Sequence, residues 1–190
     1  MNNTIFNNLK ISNSIISDSI ITNSHMKKNI ALIGLPYSGK SFLSKFLSLK
    51  KLMYLVETDK NIEDKYNLKL QNIIDNYGEL EFINIENEVI RELDCENTVI
   101  STGGSIIYNP DNLYYLKDYL NTTIIHLHLD HDEFKNRIVD IENRGVINPY
   151  NHGITDFYNY RINSYNNHAD IILDANNKDE VLKNILNIKI

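Results

Sequence analysis

The residues best suited to chemistry lie between positions 34 and 41, where Gly34-Leu35-Pro36-Tyr37-Ser38-Gly39-Lys40-Ser41 fits the pattern G-x-x-x-x-G-K-[ST]. An apolar run, Asn29–Leu35, precedes it, and a stretch with Phe42, Leu43, Phe46 and Leu47 at helical spacing follows it. In that context the glycines let successive backbone N–H groups turn toward a polyphosphate at a helix N-terminus, where the dipole favours anions. Lys40 is placed to reach the β- and γ-phosphates, and the Ser41 hydroxyl to ligate Mg²⁺. Gly34, Tyr37, Ser38, Gly39, Lys40, Ser41 and Phe42 are therefore the expected nucleotide-binding set. A GTPase would carry N-K-x-D after a late strand. Asn177-Lys178-Asp179-Glu180 ends in Glu instead, and no switch segment is evident. Motor ATPases carry an apolar strand ending in Asp or Asp-Glu, whereas Val99–Ser101 runs into Thr102-Gly103-Gly104. A small-molecule kinase using ATP fits better.

The elements that must hold this loop follow from hydrophobic period. Strands are expected at Asn29–Leu35, Leu52–Val56, Thr98–Ser101, Thr123–Leu129 and Asp170–Leu173. Helices are expected at Ser41–Lys50, Ile62–Tyr77, Leu80–Leu93, Asn112–Leu120, His131–Ile141, Asp156–Asn167 and Lys178–Leu186. Five strands interleaved with helices predict an α/β fold: a three-layer, doubly wound, five-stranded parallel sheet of the P-loop kinase type. The stretch Glu142–Thr155, rich in Asn, Gly and Pro, is long for a connector and reads as a lid loop.

The chain has 190 residues, 42% of them hydrophobic, and a net charge of −6. That length suits one domain. Residues 1–25 hold two charges, alternate Asn, Ser and Thr with Ile, and read as a flexible or tag-like extension; 26–190 read as a single kinase domain. The 29 Asn and 29 Ile reflect codon bias and carry no function. The negative balance excludes a general nucleic-acid binder. No apolar run is long enough to span a membrane, and no secretory signal is recognisable. One cysteine, Cys95, excludes a disulfide framework and a Cys-based zinc cluster. A cytoplasmic monomer acting on a small molecule is expected.

Further along the chain, the motifs resemble those of the shikimate kinase family. Glu57-Thr58-Asp59 is similar to its D-x-D, Gly78-Glu79-x-x-Phe82-Ile83-x-x-Glu86 to G-E-x-x-F-R-x-x-E, and Thr102-Gly103-Gly104-Ser105 to the strand exit into G-G-G. Arg144-Gly145-Val146-Ile147 is similar to the lid's R-P-L-L, and Arg161-x-x-x-Tyr165-x-x-x-Ala169-Asp170 to the substrate-binding arginine and the last strand. The resemblance implies Mg²⁺-dependent transfer of the ATP γ-phosphoryl to the 3-hydroxyl of shikimate, in aromatic amino-acid biosynthesis. It implies that Asp59 orients the attacking hydroxyl, that Gly103 and Gly104 let backbone approach the substrate, and that Arg161 pairs with its carboxylate. It also implies that Glu57 holds Mg²⁺ through water and that Arg144 closes over the phosphates.

Blander readings stand beside several of these. Asp59 would also serve as the N-cap of a helix at Ile62, Glu57 as an ordinary strand-end carboxylate, Gly104 as a turn glycine and Arg144 as an exposed loop residue. Arg137 reads as a surface residue, with an adenine-side contact as the alternative. His126 and His128 read as buried, hydrogen-bonded side chains rather than metal ligands. Cys95, between Asp94 and Glu96, is expected to be unreactive. The sequence departs from the family pattern at Ile83, where the second carboxylate-binding arginine belongs. It departs further at Glu57, Ser105, Tyr37 and Gly145-Val146. Two other functions stay open: a kinase of a different hydroxylated metabolite, and a nucleotide-binding module without turnover.

Overall fold

The computed structural model describes residues 29–138 and 145–188. Five parallel strands, β1 (Asn29–Ile33), β2 (Tyr54–Glu57), β3 (Thr98–Ser101), β4 (Thr122–His128) and β5 (Ile171–Asp174), form one sheet in the order β2-β3-β1-β4-β5. Every connection between neighbours is parallel, with Ile30 opposite both Val99 and Thr123. All five residues of β1 and all four of β3 are buried. Both faces of these strands are thus covered, which is why they read as continuous apolar runs rather than alternating ones. The doubly wound fold expected from the sequence is the observed one.

The helices are α1 (Lys40–Lys51), α2 (Thr58–Tyr66), α3 (Leu70–Tyr77), α4 (Glu79–Arg91), α5 (Asp111–Tyr114), α6 (His131–Arg137), α7 (Ile154–His168) and α8 (Lys178–Asn187). α1 packs on β1–β3 and α7 on β4. Helices α2–α4 stand apart around a second apolar cluster of Ile62, Ile73, Phe82, Ile85 and Val89.

Five expectations are corrected. The single helix over Ile62–Tyr77 is two, because Asn67 takes a left-handed conformation (φ 52°) and closes α2. α2 also begins at Thr58, so Asp59 lies inside its first turn and is not an N-cap. Strand β2 begins at Tyr54 and not at Leu52, whose left-handed φ of 54° ends α1. The expected helix Asn112–Leu120 is α5 continued by a π-helical turn over Tyr115–Tyr119. Helix α6 gives way to extended backbone at Ile138, and the rest of its expected span, 139–141, lies outside the described residues. So do Arg144 and the extension 1–25.

Candidate active site

The loop between β1 and α1 has the geometry its sequence predicts. A Cβ on Gly34 would stand 2.7 Å from the Leu127 carbonyl oxygen, so only glycine lets the chain leave β1 against β4 here. Gly39 has φ 93° and hands the chain to α1, whose first turn carries no acidic residue and no side-chain cap. The helix N-terminus therefore presents free N–H groups to the cleft. Ser38 Oγ is buried with no hydrogen-bond partner. Lys40 Nζ is folded back onto the carbonyls of Gly34 (2.8 Å) and Leu35 (2.9 Å). Burial pushes the Lys40 ammonium down to about 8, with Asp59 opposing that shift and Arg161 adding to it. Uncapped donors, an orphaned hydroxyl and a desolvated cation fit a polyphosphate, whose oxygens would satisfy all three.

This loop forms one wall of a cleft of about 560 Å³. Its lining includes Phe42, Tyr37 and Arg137 as well as Asp59, Gly103, Gly104 and Arg161. Arg137 is not the surface residue expected. Its Nη2 donates to the carbonyls of Ala175 (3.1 Å) and Asn176 (2.9 Å), its Nη1 to that of Tyr37 (3.4 Å), and its Nε to Glu133 (2.6 Å). It ties the phosphate loop to the β5–α8 loop, a role invisible in sequence because the partners are far away along the chain. Phe42 is half-exposed at the rim, with the Lys178 ammonium 4.4 Å from its ring centroid.

Arg161 is almost wholly buried, its guanidinium carbon lying over the rings of Phe157 (4.3 Å to the centroid) and Tyr108 (5.1 Å). Its Nη1 donates to the Gly104 carbonyl and its Nη2 to that of Ile147, both at 2.8 Å, while its Nε has no partner. Tyr165, one turn further along α7, donates to the same Gly104 oxygen at 2.6 Å. A Cβ on Gly104 would stand 2.9 Å from Arg161 Nη1, so this glycine is required by the arginine packed on it and is more than a turn residue. Tyr165 was legible only as a member of the Arg161 motif, where its i,i+4 spacing puts both side chains on one helix face.

Asp59 lines both the main cleft and an adjoining polar one shared with Ser41, Glu57 and Ser101. Burial raises its carboxyl above the usual range, Lys40 pulls it back, and Glu63 and Glu57 push it up again. Glu57 is paired with Lys45 at 3.2 Å. Among the described residues no three His, Cys, Asp or Glu side chains form a cluster able to hold an ion. Ser41 and Glu57 both line the adjoining cleft, and a magnesium ion there would draw its remaining ligands from phosphate oxygens and water. The lid's described part docks on the α2–α4 unit: Gly145 N–H donates to Gln71 (3.0 Å), Asn148 N–H to Glu79 (3.0 Å), and Ile147 is buried in the second apolar cluster.

Of the two histidines on β4, His126 is buried and hydrogen-bonded as expected, whereas His128 is half-buried, with its Nε2 3.3 Å from Asp130 and its Nδ1 unpartnered. His126 Nδ1 meets Asn166 Oδ1 at 2.9 Å, and burial pushes the ring down to about 4, which keeps it neutral. The Cys95 thiol is raised first by burial, with Asp94 contributing less.

A strand–phosphate loop–helix unit facing a cleft with a half-buried carboxylate and a buried guanidinium defines a P-loop phosphotransferase for a small acceptor molecule. The family model for shikimate kinase matches residues 36–189. The chain is 32% identical over 160 residues to a shikimate kinase of Bacillus mycoides (84% of this chain, 94% of the relative). It is 34% identical over 155 residues to one of Dehalococcoides mccartyi (80% and 86%). The Aquifex aeolicus shikimate kinase structure superimposes with a TM-score of 0.73 at 29% identity, covering 83% of this chain and 94% of that one. The Acinetobacter baumannii enzyme in complex with shikimate shares the fold, with a TM-score of 0.75 at 23% identity and coverage of 87% and 94%. The chain belongs to the shikimate kinase family.

Proposed function

We propose that this chain phosphorylates the 3-hydroxyl of shikimate from ATP, within the single domain 26–190. The observation that carries the reading is the placement of Asp59 and Arg161 in the cleft that Lys40 faces. Lys40, Ser38 and the N-terminus of α1 bind the triphosphate, while Arg137 and Phe42 flank its nucleoside end. Ser41, and Glu57 through water, would hold a magnesium ion, which would supply charge neutralisation to the phosphates. Asp59 accepts the hydrogen bond of the attacking hydroxyl and takes its proton as the new P–O bond forms and the bond from the γ-phosphorus to the bridging β-γ oxygen breaks, ADP leaving with that oxygen. Arg161 receives the substrate carboxylate, and Arg144 completes the phosphate clamp from the lid. Such chemistry asks chiefly for positioning. A coupled ADP-release assay tests the reading: turnover is expected to depend on added shikimate. Turnover only with another polyol, or tight ATP binding without turnover across a metabolite panel, would reject it.

The departure at Ile83 makes a second expectation. Ile83 is half-buried on α4 beside the second apolar cluster. Arg91 does not stand in for the missing arginine, because it donates to the Asp111 carbonyl and lies over Tyr115 at the far end of the helix. One absent charge-assisted bond is worth about 1.5–3 kcal/mol. Ile83→Arg is therefore expected to lower the KM for shikimate about ten- to a hundredfold at an unchanged KM for ATP. A KM that stays or rises counts against this carboxylate geometry.

A further inference from the structure

Behind the wall formed by Gly103 and Gly104 stands a carboxyl that the reaction as described does not use. Glu86, on α4, is fully buried. Ser105 Oγ donates to its Oε1 at 2.8 Å, and its Oε2 has no partner. Ile83, three residues earlier on the same helix, gives it no cation from the preceding turn, and no ion pair reaches it among the described residues. A Cβ on Gly103 would lie 2.6 Å from both Asp59 Oδ1 and Glu86 Oε1, so the two carboxyl groups converge on one glycine. Two negative charges so placed, one of them fully buried, would repel each other strongly.

We propose that Glu86 is a positioning residue for phosphoryl transfer: as a neutral carboxyl tied to Ser105, it fixes the Gly103–Ser105 loop against α4 and leaves Asp59 as the single negative charge facing the acceptor hydroxyl. This rests on the reading of Asp59 given above. The groups facing Glu86 are Asp59 from α2, Ser105 from the loop after β3, and Arg161 and Tyr165 from α7. Burial and the Asp59 charge push Glu86 up to about 8, with Ser105 and Arg161 opposing. Tyr165 is pushed up to about 12 and stays neutral. The Ser105 hydroxyl gives the loop a bond that a third glycine would lack.

The sign of the resulting pH dependence is fixed. Between the ordinary glutamate value of 4.5 and about 8, the folded chain holds more protons than the unfolded one. Glu86 therefore makes stability fall as pH rises through that window and adds nothing further above it. Gln cannot ionise, so the Tm of Glu86→Gln relative to the parent is expected to climb from pH 5 to pH 8 and then level off. That measurement needs no substrate, so its outcome is separate from whether shikimate is the acceptor. A Tm difference independent of pH would overturn the proposal. In activity, measured at saturating nucleotide so that phosphate charge keeps Lys40 protonated, Glu86→Ala is expected to lower kcat on the order of tenfold or more. KM for ATP should move by less than about twofold, and Glu86→Gln should recover most of the lost kcat. Ser105→Ala, a smaller perturbation of the fold, should move the alkaline fall of kcat to higher pH, because it removes the bond that favours ionised Glu86. Equal losses in the Ala and Gln variants, or an alkaline fall that Ser105→Ala leaves in place, would likewise overturn it.

Discussion

At saturating shikimate and MgATP, Asp59→Asn is expected to lower kcat by about 10²–10⁴-fold while leaving the ATP Kd at pH 6.5 within about threefold. The substitution keeps the volume and loses the charge and the proton acceptor, so what it removes belongs to the transfer step. Asp59 is suited to that step because the first turn of α2 places it where the cleft holding Arg161 meets the one holding Ser41 and Glu57. Its neighbourhood adds a pH signature. Asp59 is the group that raises the Lys40 ammonium against desolvation. Without it, Lys40 loses its proton below about 8, and neutral Lys40 attracts phosphate less. Nucleotide affinity of the variant should therefore weaken at a lower pH than that of the parent as pH rises, which calorimetric titrations at pH 6.5 and 8 would detect. Near-normal turnover in Asp59→Asn would remove this residue from the mechanism.

The parts of the fold legible in sequence were those written in short-range chemistry. The phosphate loop announces itself because only glycine tolerates the backbone at 34 and 39, and β1 and β3 because burial on both faces leaves uninterrupted apolar runs. The break between α2 and α3 was hidden because Asn67-Leu68-Lys69 contains neither Gly nor Pro and the apolar period carries across it. Asn67 nonetheless enters the left-handed region, which Asn tolerates better than most residues. The same gap in the signal concerns Asp59: the sequence places the helix start at Ile62 and so leaves a capping role open for this carboxylate, which the start of α2 at Thr58 removes.

Within the site, single positions were legible and partnerships were not. Lys40, Asp59, Gly104 and Arg161 are brought to one cleft as expected. Arg137 reads as a surface residue in the sequence because the three backbone carbonyls it binds come from two distant loops. Glu86 entered only as the last letter of a motif. Nothing local distinguishes it from a solvated helix glutamate until the fold sets it beside Ser105 and Asp59.

Arg161→Lys should produce the second large effect: KM for shikimate rising about tenfold to a hundredfold or more, with KM for ATP unchanged. The charge survives this substitution and the fork does not. Arg161 spans the Gly104 and Ile147 carbonyls with two different nitrogens while two aromatic faces hold its plane. An ammonium cannot reproduce that span and still face a carboxylate. One buried carbonyl would be left short of a donor, at about 1–3 kcal/mol. Gly104 retains Tyr165 as a partner, so the Ile147 side is the one expected to loosen. Because Ile147 anchors the lid base in the second apolar cluster, a drop in kcat should accompany the rise in KM. The double variant Ile83→Arg/Arg161→Lys separates the two contributions. A guanidinium restored at 83 should recover KM, since it offers the carboxylate a new fork, and should leave kcat depressed, since it gives Ile147 no donor. Recovery of both would place the role of Arg161 in carboxylate recognition alone, and an unaltered KM for shikimate in Arg161→Lys would place it wholly in holding the lid.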